Sequence, residues 1–358
     1  MNNIERIRER LRQEGLDAVL ITDERNQRYA AGFPFTDGAV LISEGGAWLV
    51  TDSRYTEAAG QRAEGVAVLQ YDRQRPLAAV LRGLIAEAGI ERLGAEDGRL
   101  SHRAYLSWER SLERELTPLG NFFEELRAAK TEGEIACMRA AQAIAETALE
   151  ELLHILRPGM TEREAAAELV YSMLRHGAEG NSFDPIVISG KKTSMPHGVP
   201  GDERIRPGDF VTMDFGCVKD GYCSDMTRTV AIGSADDEMK NVYATVLAAQ
   251  LAGIRRARAG IPGRDIDAAA RELIEGAGYG SCFGHGFGHG LGLEIHEGPS
   301  LSPSGTALLP LNYVCSAEPG IYLPGRFGVR IEDVMILREG RAELMTGAAK
   351  DLLMLPCK

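Results

Sequence analysis

The chain has 358 residues, 44% hydrophobic and 26% charged, the make-up of a soluble globular protein of about two domains rather than a fibrous or disordered one. Its 52 acidic and 40 basic side chains leave a formal net charge of -12, which argues against a nucleic-acid binder, since that class needs a basic footprint. The six cysteines form no CxxC pair and no stretch approaches the ~20 apolar residues of a membrane span, so a cytoplasmic protein with reduced thiols and neither membrane nor nucleic-acid partner is expected.

The opening MNNIERIRERLRQEG reads as a charged amphipathic helix without the apolar core of a signal peptide. It feeds a strand at Ala18–Ile21. Strands are then expected at Ala39–Ile42 and Ala47–Thr51, with Gly45-Gly46 as the turn between them. A helix from about Tyr55 to Arg62, a strand at Val66–Tyr71 and a helix at Leu77–Ala88 complete a small α/β domain over residues 1–125. Residues 121–130 read as a connector.

The second domain, 126–358, opens with a capping-box pattern at Thr131 and Glu134 ahead of a long alanine-rich helix reaching about Leu156, which Pro158-Gly159 ends. Thr161 and Glu164 repeat the pattern for a helix to about Arg175. Further helices are expected at Asn241–Ala257 and Asp265–Glu275, and strands at Asp209–Val218, Gly221–Ile232, Tyr313–Glu318 and Gly328–Leu337. Long helices on a curved, mostly antiparallel sheet would make an α+β catalytic domain. The helix-helix-strand-strand order occurs twice, over about 131–232 and 241–337, which hints at an internal duplication.

In this second part five potential metal ligands follow one another as Asp214, Asp225, His289, Glu318 and Glu332. Four carboxylates and one imidazole are too oxygen-rich for a structural zinc site and suit a pair of divalent ions sharing carboxylates. Such a pair activates water and polarises a carbonyl, the chemistry of amide hydrolysis.

The segment VTMDFGCVKDGYCSDMTRTV places a turn signal, Lys219-Asp220-Gly221, between two strand-like runs. A two-residue loop of Lys219-Asp220 sets Asp214 directly opposite Asp225. One of Asp220-Gly221 sets them diagonally on the same face, and a three-residue loop sets them on opposite faces. FGHGFGHGLGLEIHEGP holds His285, His289 and His296, three of the seven histidines, with glycines at alternate positions that let a ligand or another backbone come close. A zinc pair of His285 and His289 is the competing metal motif, without an HExxH arrangement to support it. SAEPGIYLPGRFGVRIEDV supplies Glu318 and Glu332, each of which taken alone reads as a solvated surface residue. His197 lies between two prolines in SMPHGVP, where a rigid loop suits a catalytic imidazole or a structural one.

The ordered set MDFG, SDMTRT, GHGLGLEIHE, EPGIY and RIED resembles the pita-bread metallopeptidases over about residues 126–340. NQRYAAGF and VTDSRYTEAA are similar to the extra N-terminal domain of aminopeptidase P, prolidase and creatinase, which sets methionine aminopeptidases aside. The resemblance implies a pita-bread catalytic domain with two divalent ions, manganese foremost and cobalt, iron or zinc as alternatives. Asp225 and Glu332 would bridge the ions, Asp214 would chelate one, and His289 and Glu318 would complete the other, with a bridging hydroxide as nucleophile. Glu318 would shuttle the proton, and His296 would bind the substrate carbonyl and its oxyanion. His197 and His285 would line the pocket beside the residue after the cleaved bond, while Tyr322 and Arg330 would orient the ligands. The substrates implied are small peptides with proline in second position, and the assembly implied is a homodimer through the N-terminal domain.

Prolidases often carry an arginine shortly after the second histidine to meet the free carboxylate of a dipeptide. Here Ser300 stands there, and residues 297–317 hold no Lys or Arg. The expectation is therefore an aminopeptidase P, with prolidase as the alternative, since Arg330, Arg326 or a neighbouring subunit can supply a cation. A creatinase-like hydrolase without metals and an inactive scaffold protein are the rival readings, and the complete ligand set opposes both.

Overall fold

The structure, a computed structural model, describes residues 2–357. The chain divides after Arg127 into two compact units.

The first unit is built on a six-stranded sheet in the order Ala67–Gln70, Ala47–Thr51, Gly38–Ser43, Ala18–Ile21, Leu93–Ala95, Thr117–Pro118. The two pairings made by Gly38–Ser43 are antiparallel and the others parallel. Every residue of Ala18–Ile21 is buried, as an unbroken apolar run in a central strand requires. Two helices escaped the sequence reading, Glu24–Ala31 and His102–Leu112. Each begins at a capping residue whose side chain accepts backbone N–H groups, Asp23 from Arg25 and Asn26, and Ser101 from Ala104. Within the expected connector lies a short helix, Phe122–Ala128, because Phe122 and Phe123 are both buried.

The second unit is an α+β arrangement of helix pairs on antiparallel strands. Helix Glu132–Ile155 starts at a complete capping box: the Glu134 N–H donates to Thr131 Oγ1 at 3.2 Å and the Thr131 N–H to Glu134 Oε2 at 2.8 Å. Helix Glu162–Arg175 starts at the second box, Thr161 with Glu164. Ala141, Ala145, Leu149 and Leu169 of this pair share a core with Val211, Met213 and Val230 of the strands Phe210–Phe215 and Met226–Ile232. A second pair, Asp237–Arg256 and Gly263–Gly276, packs Val246, Ile266 and Ala270 with Cys315 and Met335 of the strands Tyr313–Ala317 and Asp333–Leu337.

The four-stranded sheet runs Met354–Leu355, Met226–Ile232, Phe210–Phe215, Ile186–Ser189, with only the first pairing parallel. The five-stranded sheet runs Glu297–Leu301, Gly288–Gly290, Tyr313–Ala317, Asp333–Leu337, Ala342–Leu344. The run expected as one strand over Gly328–Leu337 is broken. Phe327–Arg330 pairs with Gly320–Leu323, whereas Asp333–Leu337 pairs with Tyr313–Ala317. At the break the Glu332 N–H leaves both ladders and donates to the Thr227 carbonyl at 3.1 Å. Among the described residues no helix is long and apolar enough to cross a membrane.

Candidate active site

The hairpin between Phe210–Phe215 and Met226–Ile232 turns on Asp220 (φ 48°) and Gly221 (φ 77°), two consecutive left-handed residues as a type I′ turn demands. Lys219 pairs with Tyr222 and Val218 with Cys223, and the same register sets Asp214 opposite Thr227. Asp225, two residues before Thr227, is therefore diagonal to Asp214 on one face of the sheet.

Three segments bring the acids and the imidazole together. Ligand atoms of Asp225, His289 and Glu332 lie within 4.8 Å of one another. His289 Nε2 is 3.6 Å from Asp225 Oδ2 and 3.3 Å from Glu318 Oε1. His289 projects from Gly288–Gly290, where glycine is a packing requirement: a Cβ on Gly288 would sit 2.2 Å from the Ser316 carbonyl oxygen. His289 Nδ1 is 3.0 Å from the Gly290 carbonyl, which only a protonated Nδ1 can satisfy, so Nε2 is left with its lone pair toward the acids.

Around the acids runs a layer of directed hydrogen bonds. The Arg330 guanidinium, buried at 3% exposure, donates to Asp214 Oδ2 at 2.5 Å, to the Tyr322 hydroxyl at 2.9 Å and to Thr227 Oγ1 at 3.1 Å. Tyr322 in turn meets His285 Nε2 at 2.9 Å, and His285 Nδ1 meets the Gly286 carbonyl at 2.9 Å. Both ring nitrogens of His285 are thus engaged by protein groups, which removes the His285/His289 zinc pair. Thr227 Oγ1 also contacts Glu332 Oε2 at 2.7 Å, and Ser316 Oγ lies between the His289 N–H at 3.0 Å and Glu318 Oε1 at 3.2 Å. Neither hydroxyl was singled out from the sequence. The signal was available: Thr227 follows Asp225 by two and Ser316 precedes Glu318 by two, the spacing that keeps strand residues on one face.

The electrostatics fit divalent cations. Burial, with Asp214 and Glu318 adding like charge, pushes Asp225 well above the ordinary carboxylate range. Burial, then Asp225, Glu318 and Asp214, does the same to Glu332. Glu318 is raised by burial, against His285 and Arg330. Burial lowers His285, His289 and His296, favouring neutral imidazoles. Asp214 Oδ1, Asp225 Oδ1 and Glu332 Oε1 are buried with no hydrogen-bond donor. Oxygens left free beside like charges, with one neutral imidazole lone pair, are a donor set for hard or borderline divalent ions.

These groups line a cavity of about 490 Å³, together with His197, His285, His296 and an apolar wall of Phe183, Ile186 and Ile295. His289 and His296 stack edge to face with centroids 4.3 Å apart. Ser300 and Ser302 also border the cavity, and Arg330 is the one arginine or lysine among the described residues lining it. Arg326 is exposed and paired with Glu238, and it does not line the cavity.

Comparison with known proteins agrees with this geometry. Residues 136–339 match the model of metallopeptidase family M24, and residues 3–129 match the creatinase/prolidase N-terminal domain. The Xaa-Pro dipeptidase of Pyrococcus furiosus is 34% identical over 95% of this chain and 96% of its own. Among solved structures, an Xaa-Pro dipeptidase from Bacillus anthracis is 41% identical with a TM-score of 0.94, covering 99% of both chains. An X-Pro aminopeptidase from Thermotoga maritima is 38% identical with a TM-score of 0.92, covering 97% of this chain and 99% of that one. The pita-bread fold, the preceding creatinase-type domain and the acid-rich site go together: the chain belongs to metallopeptidase family M24 and, as a member, depends on divalent metal ions.

Proposed function

We propose that the protein is an Xaa-Pro dipeptidase, hydrolysing the bond before proline in short peptides with two divalent ions held by Asp214, Asp225, His289, Glu318 and Glu332. The observation that carries the metal reading is the set of donor-less buried oxygens on Asp214, Asp225 and Glu332 around the free Nε2 of His289. In this reading Asp225 and Glu332 would be shared by the ions, Asp214 would hold one, and His289 with Glu318 would hold the other. When bound, the ions supply an activated water and polarise the scissile carbonyl. Glu318 takes up and returns the proton. His296, on the cavity wall, donates to the carbonyl oxygen and to the oxyanion that develops from it, a contact of the kind worth a few kcal/mol. His197 and His285 form the wall beside the proline, whose rigid ring and missing N–H suit recognition by shape.

The dipeptidase reading replaces the aminopeptidase P expected from the sequence because relatives named Xaa-Pro dipeptidase, at 34% and 41% identity, align along nearly the whole chain. The aminopeptidase reading keeps one observation in its favour. The cavity's arginine is already committed to Asp214, Tyr322 and Thr227, leaving it without an obvious partner for a dipeptide carboxylate. Xaa-Pro dipeptides and Xaa-Pro-Yaa tripeptides, compared with manganese present, decide between them. Cleavage restricted to dipeptides is expected, cleavage restricted to tripeptides reverses the assignment, and cleavage of neither ends the proline reading. Manganese is the ion proposed, with cobalt, iron and zinc as competitors in a metal-loading series, because availability rather than ligand affinity selects among them. A homodimer through the N-terminal unit is the assembly proposed, and light scattering tests it.

A further inference from the structure

We propose that Thr227 and Ser316 are positioning residues, whose hydroxyls are locked in one donor direction and thereby hold Glu332 with its Oε1 free for metal and fix the carboxylate of Glu318 beside His289. The inference rests on the dinuclear reading above and adds the question of what orients its carboxylates.

A hydroxyl has one hydrogen and two lone pairs, so its direction is ordinarily free. Here it is not. Arg330 Nε can only donate, and it donates to Thr227 Oγ1 at 3.1 Å, so the Thr227 hydrogen is left for Glu332 Oε2 at 2.7 Å. The His289 backbone N–H can only donate, and it donates to Ser316 Oγ at 3.0 Å, so the Ser316 hydrogen is left for Glu318 Oε1 at 3.2 Å. Both hydroxyls sit on residues buried at 0% exposure, where water cannot compete for them.

The consequence for Glu332 is direct. Thr227 holds it at two points, the hydroxyl on Oε2 and the carbonyl on its N–H at 3.1 Å, and the oxygen left without a donor is Oε1. The donor that fixes Thr227 belongs to Arg330, which also holds Asp214, so one arginine sets the orientation of two ligands from different strands. The donor that fixes Ser316 is the backbone of His289, itself a ligand. Each hydroxyl thus reports the position of one ligand to another, one in each helix-helix-strand-strand half.

The test titrates metal-free protein with Mn2+ alone and follows hydrolysis separately, using Thr227→Val, Thr227→Ser and Ser316→Ala. Valine keeps the shape of threonine and loses the hydroxyl, whereas serine keeps the hydroxyl. Thr227→Val and Ser316→Ala are expected to weaken Mn2+ binding by about 10–100-fold, the usual effect of removing a partner that orients a ligand. Their kcat should fall while KM for an Xaa-Pro peptide changes little, and Thr227→Ser should stay close to wild type. Wild-type affinity in Thr227→Val, or equal losses in Thr227→Val and Thr227→Ser, overturns the proposal. Should Thr227→Val fail to fold in chelator, Ser316→Ala decides, and wild-type affinity there overturns it. If wild-type protein takes up no Mn2+, the dinuclear reading itself fails, which is a different result from wild type binding and the variants binding equally well.

Discussion

Glu332→Gln separates stability from function at this site. In the metal-free protein Glu332 Oε1 has no donor, and the nearest ligand atoms of Asp225 and His289 lie within 4.8 Å. Glutamine keeps the oxygen that accepts from Thr227 and replaces Oε1 with an amide N–H2, a donor in a cluster of buried acceptors. Relieving one buried unsatisfied group is worth about 1–3 kcal/mol. For a unit of this size each kcal/mol moves Tm by about 2–4 °C, so in chelator the variant should melt above wild type. With Mn2+ the order should reverse. A ligand at about 100 times its Kd stabilises the wild type by about 2.7 kcal/mol, and on the proposed ligand set a variant without the Glu332 carboxylate forgoes most of that gain. Thermal unfolding with EDTA and with excess Mn2+, paired with an Xaa-Pro hydrolysis assay, reads both arms. A variant that melts below wild type in EDTA, or that gains as much from Mn2+, refutes the reasoning.

Mn2+ affinity should tighten as pH rises from about 5 to 8, because Asp225, Glu318 and Glu332 all hold protons more tightly than ordinary carboxylates and must release them to bind. For the metal-free fold the sign is opposite. Groups with raised folded pKa give stability that is full below the unfolded value and is lost as pH rises through the folded values, so chelated protein should melt lower at pH 8 than at about pH 5. Mn2+ affinity that does not change with pH would contradict the first statement, and chelated protein melting no lower at pH 8 than at about pH 5 would contradict the second. Asp333 is fully buried between Arg228 (2.8 Å) and Lys350 (2.6 Å), so Asp333→Ala leaves the buried Arg228 charge with carbonyl partners only and should cost about 3–5 kcal/mol in urea unfolding. A loss under about 1 kcal/mol would show the pair is not sustained by Asp333. Gly288→Ala drives a methyl to 2.2 Å from the Ser316 carbonyl and displaces His289, so kcat/KM should drop about 100-fold, and unchanged kinetics would mean the strands separate freely.

Much of the fold was readable because its signals are local. Both capping boxes, at Thr131/Glu134 and Thr161/Glu164, begin the helices they announce, since the side chains and N–H groups involved lie within one turn. The Asp220-Gly221 loop was one of three alternatives left open, and choosing among them needs the register of the whole ladder rather than the turn residues alone. The break at Ile331-Glu332 was hidden because Gly328–Leu337 is continuous in strand propensity, while its two halves find partners in different sheets. Helix Phe122–Ala128 looked like a connector because it is too short to display a period. At the site, the ordered acids and His289 were legible by type and flank. Their orienting network was not, because Arg330 reaches Asp214 across more than a hundred residues of sequence and the choice of hydroxyl direction exists only in three dimensions.

The break at Glu332 and the chemistry of the site have one cause. Asp214 and Asp225 come from the first helix-helix-strand-strand half, and His289, Glu318 and Glu332 from the second. A carboxylate that faces the first half's hairpin from the second half's sheet cannot stay in its own ladder. Glu332 leaves it and gives its N–H to Thr227, so the cross-strand neighbour of Asp214 becomes the anchor of the opposing carboxylate. That geometry forces like charges to meet at the seam. The pKa shifts of Asp225 and Glu332 register the resulting cost, and the cost is what divalent cations remove. Arg330 pairs directly with Asp214 alone, on the oxygen away from its unpaired Oδ1, and only partly counters the rise of Asp225 and Glu318. Buried acids left without counter-charge are costly to a fold, and the proposed divalent ions would offset that cost at the seam.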